Sequence, residues 1–293
     1  MTKPLVSVII PTYNRPERLA KVCLPALKAQ THRELEVVLV DDGSEPPLHH
    51  DLLREFAPGT IRLVRKGNGG PASARNSGVE VARGEILAFT DDDCAPEPTW
   101  VEKLVARLID KPSAAVGGWT VNAVSGNAFS EASQQLVSYL YHYYRSRPYR
   151  GLFFTSNNFA AYASKVRAMG AFDLRYPLAA AEDRDFFDRW REAGLAMIAE
   201  PDAVVHHYHQ LSWSRFWRQH HNYGRGAYHY RHARADRHSQ PVEVEPVRFY
   251  WDLLTYPFTT KPTLEAARLS ALLFISQVAN IAGFFHEQRS SAQ

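Results

Sequence analysis

The sequence predicts an α/β protein: a mostly parallel central sheet flanked by helices, followed by a helical C-terminal extension. Three observations predict it. Over the first 120 residues, short β-branched runs alternate with segments of helical spacing; polar clusters recur where the strands should end; and from residue 212 the apolar pattern turns wholly helical. With 293 residues, 45% of them hydrophobic, the chain carries enough apolar material for a large core, which excludes wholesale disorder.

Residues 5–10, 36–40, 61–65, 86–89 and 114–116 are short apolar runs, the pattern of strands covered on both faces. Between them, 15–30, 50–56, 72–82 and 100–109 carry helical spacing, with Leu19, Val22, Cys23, Ala26 and Leu27 on one face of the first. Alternation of this kind needs crossover connections and so a parallel sheet. Further on, 130–145 reads as a helix, 182–193 as another closed by Gly194, and 203–206 as a short strand.

From residue 212 onward Trp213, Phe216, Trp217, His220, Gly224, Ala227, Tyr228 and Arg231 keep helical spacing, while Gly224 and Gly226 argue against an unbroken helix. Residues 237–246 form a polar connector. Residues 269–285 contain no charge; at 17 residues, with Ser270, Ser276, Gln277 and Asn280 among them, they are marginal for a bilayer span, and a packed or membrane-surface helix is expected.

The net charge of +3 hides an uneven distribution. Residues 206–238 hold 8 of the 13 histidines, six arginines, seven aromatics and one acid, Asp236. Two cysteines, Cys23 and Cys94, exclude a disulfide scaffold and suit a reducing compartment. Residues 1–7 lack the charged-then-apolar pattern of a secretory leader, so the expected location is the cytoplasm.

Chemistry concentrates where strands end. Pro11-Thr12-Tyr13-Asn14 follows the first strand, Asp41-Asp42-Gly43-Ser44 the second, and Thr90-Asp91-Asp92-Asp93 the fourth. Parallel strands direct these ends to one edge, where open α/β sheets bind ligands. Five carboxylates there repel one another, so they call for protonation, basic partners or a cation. Mg²⁺ or Mn²⁺ takes oxygen ligands and commonly bridges a diphosphate; solvated helix-capping aspartates are the plainer alternative.

Other candidates are weaker singly. Gly67-Asn68-Gly69-Gly70-Pro71 opens a helix and offers backbone amides to phosphate, with Arg75 one turn in, facing either a phosphate or a surface salt bridge. Asp183 continues the apolar stripe of Phe186, Phe187 and Trp190, which makes it a paired or pocket-lining carboxylate, or simply a helix cap. Alternation puts His207 and His209 on one strand face and His206 on the other, as metal ligands or as solvated, phosphate-contacting groups.

The ordered set Ser7-Val-Ile-Ile-Pro-Thr-Tyr-Asn14, Val40-Asp-Asp-Gly-Ser44, Ala74-Arg-Asn-Ser-Gly78, Phe89-Thr-Asp-Asp-Asp93 and Glu182-Asp183 with Arg189 and Gly194 resembles family 2 glycosyltransferases of the GT-A (Rossmann-like) fold. The resemblance covers residues 5–210. It implies a catalytic domain over 1–210, with a nucleotide-sugar half (1–120) and an acceptor-side half (121–210), and a helical extension over 211–293. It also implies metal-dependent, inverting transfer from a nucleoside-diphosphate sugar, by default a UDP-sugar, to a hydroxyl of a saccharide, lipid-linked or small-molecule acceptor.

Carried over by residue, the resemblance assigns Pro11, Thr12, Tyr13, Asp41, Asp42, Arg75, Asp91 and Asp92 to the donor nucleotide. Asp93 and His207 become metal ligands, with Asp91 and His209 as alternatives. Asp183 becomes the general base, with Asn157, Asn158 and Glu182 on the acceptor and sugar side. Arg189-Trp190 has Phe186 where processive polysaccharide synthases carry Gln, which argues for transfer of one or a few sugars. Bacterial members of this type use cell-surface or lipid-linked acceptors, which implies a cytoplasmic enzyme at the inner face of the membrane.

Three competing functions are weaker. A nucleotidyltransferase should show a Gly-x-Gly-x-Arg loop where Pro-Thr-Tyr-Asn stands. A nucleic-acid-binding module accounts for the basic aromatic segment but leaves the acidic clusters unexplained, so no nucleic-acid partner is expected. An inactive nucleotide-sugar-binding protein fits less well with Asp91, Asp93 and Asp183 in place.

Overall fold

The computed structural model describes residues 3–54, 56–57, 59–145, 153–176, 178–238 and 245–291. Among them, eight strands pair into one sheet: β1 (Val6–Thr12), β2 (Leu35–Asp41), β3 (Ile61–Arg65), β4 (Ile86–Phe89), β5 (Cys94–Pro96), β6 (Ala115–Asn122), β7 (Phe159–Tyr162) and β8 (Met197–His207), in the order β3-β2-β1-β4-β7-β6-β8-β5. The pairings β1–β2, β1–β4 and β2–β3 are parallel; β4–β7, β6–β7 and β5–β8 are antiparallel.

The parallel part follows the expected runs because Val8, Ile9, Ile10, Val37, Val38 and Leu39 are buried whichever way they point. The antiparallel part was only partly legible. Strand β5 has three residues and β7 reads Phe-Ala-Ala-Tyr, too short and too poor in β-branched residues to stand out. Strand β8 is much longer than the run at 203–206, because Glu200-Pro201-Asp202 interrupts its apolar pattern with polar residues.

The helices are α1 (Pro16–Arg18), continued through a π turn (Leu19–Cys23) into α2 (Leu24–Lys28), then α3 (Gly70–Val81), α4 (Trp100–Asp110), α5 (Ala128–Arg145), α6 (Ala163–Ala168), α7 (Glu182–Glu192), α8 (Trp213–His238), α9 (Val247–Thr255) and α10 (Thr263–Ser290). In place of the helix expected at 50–56 stands a short 3₁₀ turn, His50–Leu53.

The chain divides into two compact units. The first comprises residues 1–121, 154–177 and 186–208, and the second residues 122–153, 178–185 and 209–293. In the first unit, Leu19, Leu24 and Leu27 of the first helical segment and Trp100, Val101, Leu104 and Leu108 of α4 join the apolar side chains of β1, β2 and β4.

In the second unit α8 runs unbroken through Gly224 and Gly226, against the expectation from helix propensity. The reason is tertiary. A Cβ at Gly224 would lie 1.8 Å from the carbonyl oxygen of Asn280 on α10, and one at Gly283 would lie 1.8 Å from that of His221 on α8. The two helices touch backbone to backbone, which only glycine allows. Helix α10 buries Leu269, Leu273, Ser276, Ala279 and Gly283 and exposes Phe274, Val278, Ile281 and Phe285. It is the one described helix long and apolar enough to cross a membrane.

Much of the positive charge of 206–238 is spent inside this unit. Arg225 and His229 pair with Glu287, Arg237 with Asp185, and Arg231 lies over the ring of Phe284. Arg225 and Arg237 of this basic stretch are thus ion-paired within the fold. Burial drives the His220 imidazole down to about 3; its Nε2 lies 3.1 Å from the Ser133 hydroxyl.

Candidate active site

The three polar clusters converge in the first unit because β1, β2 and β4 run parallel and end together. Short bonds knit them. Asp42 N donates to the Thr12 carbonyl (2.9 Å), Asn14 N to Ser44 Oγ (2.9 Å) and Thr12 Oγ1 to Asp92 Oδ2 (2.7 Å). Asn14, at φ 53°, adopts the left-handed conformation and places its own Oδ1 2.8 Å from the Glu45 amide.

Asp41 and Asp42 both serve their loop. Asp41 accepts from Ser44 N (2.8 Å) and Leu48 N (3.3 Å). Asp42 accepts from Lys66 Nζ (2.8 Å), Gly69 N (3.0 Å) and Gly70 N (2.8 Å). The glycine-rich turn therefore directs two of its amides at Asp42, which corrects its reading as a phosphate cradle. Pro11 is half-buried and Tyr13 is exposed.

The acids at the end of β4 have basic partners. Arg75 Nη2 donates to Asp91 Oδ1 at 2.8 Å, and its guanidinium lies over the Phe172 ring; the guanidinium is buried, while the Asp91 carboxylate is partly exposed at the end of β4. Arg15 Nη1 reaches Asp92 Oδ1 (3.2 Å) and Asp93 Oδ2 (3.1 Å). Burial pushes the Asp92 carboxyl up to about 7 against the pull of Arg15, and the Asp93 and Asp91 charges push the same way.

His207 completes the cluster. It faces Cys94 across the β5–β8 ladder, and its Nε2 lies 3.3 Å from Asp93 Oδ1. Burial lowers the imidazole's proton affinity, but Asp93 and Asp91 outweigh burial and hold it above its ordinary value. A carboxylate oxygen and an imidazole nitrogen at this separation suit a divalent cation, so the residues present fit one. Cys94 Sγ belongs to the same group, with all three ligand atoms within 4.8 Å of one another. Sequence reasoning missed Cys94; the signal available was its place directly after the acids.

The other expected positions differ. Strand β8 ends at His207, so the alternation linking His207 to His209 stops there; the His209 carbonyl accepts from Ser130 Oγ in the second unit. His206 pairs with Glu97 at 3.3 Å. Asn158, expected beside sugar or acceptor, is a core residue with no exposed surface. Its Oδ1 accepts from Trp100 Nε1 (2.8 Å), and its Nδ2 donates to the Ala203 carbonyl (3.1 Å). Asn157 Oδ1 accepts from the hydroxyls of Thr155 (2.8 Å) and Thr120 (3.2 Å).

Asp183 is half-buried, less covered than Phe186, Phe187 and Trp190 of the same helix, and its Oδ1 accepts from Arg184 N at 2.8 Å. Glu182 is buried. The fully buried carboxylate of this turn is Asp185, held by Arg237 at 2.8 Å, a pairing that only tertiary contact shows. Ala181, just before the helix, has φ 69°, a strained position for a residue with a side chain.

Residues 7–169 match the model of glycosyl transferase family 2. Glycosyltransferase AglE of Haloferax volcanii is 38% identical over 122 residues, 40% of this chain and 40% of that protein. The pre-mycofactocin glycosyltransferase of Mycobacterium tuberculosis is 30% identical over 209 residues, 70% of this chain and 43% of that protein. The chain thus spans less than half the length of these curated relatives. Among solved structures, the mannosyltransferase PcManGT from Pyrobaculum calidifontis, in complex with GDP-Man and Mn²⁺, matches at TM-score 0.66 and 19% identity, covering 96% of this chain and 88% of that one. GalNAc-T7 with UDP, GalNAc and Mn²⁺ matches at TM-score 0.58 and 15% identity, covering 99% and 57%. These two likenesses show a shared GT-A fold. With the family model matching more than half of its length, the chain belongs to glycosyl transferase family 2.

Proposed function

We propose that the protein transfers a sugar from a nucleoside-diphosphate sugar to an acceptor hydroxyl, inverting the anomeric centre, with a divalent cation at Asp93 and His207. The observation that carries this reading is the group of Asp91, Asp92 and Asp93 at the end of strand β4, interleaved with Arg15, Arg75 and His207. Solved structures of the same fold hold GDP-Man or UDP with Mn²⁺, which supports a nucleotide-sugar donor; a UDP-sugar is the default.

Pro11, Thr12, Tyr13 and Asp42 bind base and ribose, with exposed Tyr13 offering a ring to the base and Asp41 holding the loop. Arg75, Asp91 and Asp92 lie on the phosphate and ribose side. Asp93 and His207 are the preferred cation ligands, Asp91 and His209 the alternatives. When bound, Mn²⁺ or Mg²⁺ supplies positive charge for the departing nucleoside diphosphate.

Asp183, in the first turn of α7, where the helix dipole favours an ionised carboxylate, accepts the proton of the acceptor hydroxyl. The hydroxyl oxygen bonds to the anomeric carbon as the bond to the phosphate oxygen breaks, so a single displacement inverts the centre. Glu182 and Asn157 belong to the acceptor side. The acceptor is a saccharide or a lipid-linked molecule, and the protein works at the cytoplasmic face of the membrane, against which the exposed apolar face of α10 rests.

The test is thermal stability with nucleoside diphosphates and their sugars, with and without Mn²⁺. One donor should raise the melting temperature in a metal-dependent way, since a ligand bound only by the folded state stabilises it. The variant Asp183→Asn should keep that stabilisation and lose transfer. Wild-type turnover in Asp183→Asn would remove the base from this reading, and no response to any nucleotide would remove the reading itself.

A further inference from the structure

Cys94 is the member of the Asp93 group that sugar transfer does not use. Its position is built rather than incidental. It stands opposite His207 in the β5–β8 register, has no exposed surface, and packs within the main apolar cluster of the first unit. Its Sγ lies 3.9 Å from Asp93 Oδ1, the same oxygen that lies 3.3 Å from His207 Nε2. The other oxygen, Asp93 Oδ2, is turned to Arg15 at 3.1 Å.

These separations can be set against those a metal imposes. Tetrahedral bonds of about 2.0 Å to oxygen and nitrogen put the two ligand atoms about 3.3 Å apart; bonds of about 2.0 and 2.3 Å to oxygen and sulfur put them about 3.5 Å apart. The oxygen–nitrogen edge already matches, and the oxygen–sulfur edge is about 0.4 Å long.

We propose that Asp93, Cys94 and His207 form a three-ligand site for a thiophilic divalent cation, Zn²⁺ above all, which competes with the hard cation of the transfer reaction. The proposal rests on the sugar-transfer reading for the place of the metal and adds to it a ligand and a metal preference. Carboxylate and water suit Mg²⁺ and Mn²⁺, whereas a thiolate beside an imidazole selects Zn²⁺, which also stands above Mn²⁺ in intrinsic affinity for such donors. On binding, the Cys94 S–H bond breaks, the proton passes to the buffer, and the sulfur bonds to the metal. The apolar packing around Cys94 closes the site behind the sulfur, while His207 is only half-buried.

Metal-free protein titrated with Co²⁺ provides the readout. Wild-type protein should show sulfur-to-cobalt charge-transfer absorption and release protons. Cys94→Ser and Cys94→Ala should lose the absorption and bind Zn²⁺ about 100-fold more weakly, with Mn²⁺ binding changed by no more than about threefold. Cys23→Ser, which replaces the buried cysteine outside the trio, should keep the absorption. Two variants at position 94, each checked by circular dichroism, keep a folding defect in one from deciding the outcome. Wild-type Zn²⁺ affinity in a folded Cys94 variant overturns the proposal, and if Mn²⁺ still binds through Asp93, the sugar-transfer reading stands. If no metal binds and Asp93→Ala changes nothing, the proposal falls together with the metal reading.

Discussion

Substituting Gly224 by alanine sets two effects of opposite sign against each other. Within a helix, alanine is favoured over glycine by about 1 kcal/mol, so an isolated or solvent-facing α8 would be stabilised. At Gly224, however, the added methyl would sit 1.8 Å from the Asn280 carbonyl oxygen, where ordinary contact begins at 3.4 Å. The obstacle is backbone, which has no rotamer to retreat into, so α8 and α10 must part locally by about 1.6 Å. Such overpacking costs about 1–3 kcal/mol, occasionally more, and here it also loosens the Tyr228–Phe284 ring contact and the Glu287 ion pairs. The net expectation is a loss of about 2 kcal/mol, or roughly 4–8 °C in Tm for a domain of this size. Urea denaturation followed by far-ultraviolet circular dichroism measures it. Gly283→Ala should cost a similar amount, and the double variant less than the two together, because parting the helices once relieves both clashes. A Gly224→Ala protein more stable than wild type would refute the backbone contact.

Three further expectations follow from the same structure. His220 is neutral when folded, with its pKa at about 3 against about 6.5 unfolded, so its contribution is intact above pH 6.5 and shrinks as pH falls toward 3, by about 2 kcal/mol at pH 5; denaturation across pH should show this slope in wild type and a flatter one in His220→Leu. Asn158→Ala strands Trp100 Nε1 and the Ala203 carbonyl, and should cost about 2–4 kcal/mol of stability while leaving donor-induced thermal stabilisation in place; lost donor response at unchanged stability would restore Asn158 to the ligand side. Phe274→Glu with Ile281→Glu puts charge on the exposed face of α10 and should abolish co-sedimentation with anionic vesicles without altering the nucleotide-sugar response; unchanged sedimentation would detach that face from the membrane.

The residues themselves determined the parallel half of the sheet, because strands buried on both faces must be apolar without a break, and that pattern is local. They also determined that Pro11–Asn14, Asp41–Ser44 and Thr90–Asp93 lie together, since parallel strands end on one edge whatever fills the rest of the fold. Partners were decided only by tertiary structure. That Arg75 pairs with Asp91, that Gly69 and Gly70 turn their amides to Asp42, and that Asn158 faces Trp100 depends on contacts across 16 to 58 positions of chain. Helix α8 shows the same division. Its glycines read locally as weakness, yet the approach of Asn280 makes them a requirement, because propensity is a property of one segment and close packing a property of two. Cys94 is the sharpest case: in sequence it is one residue past an acidic run, and only the antiparallel pairing of β5 with β8 sets its thiol opposite the imidazole of His207.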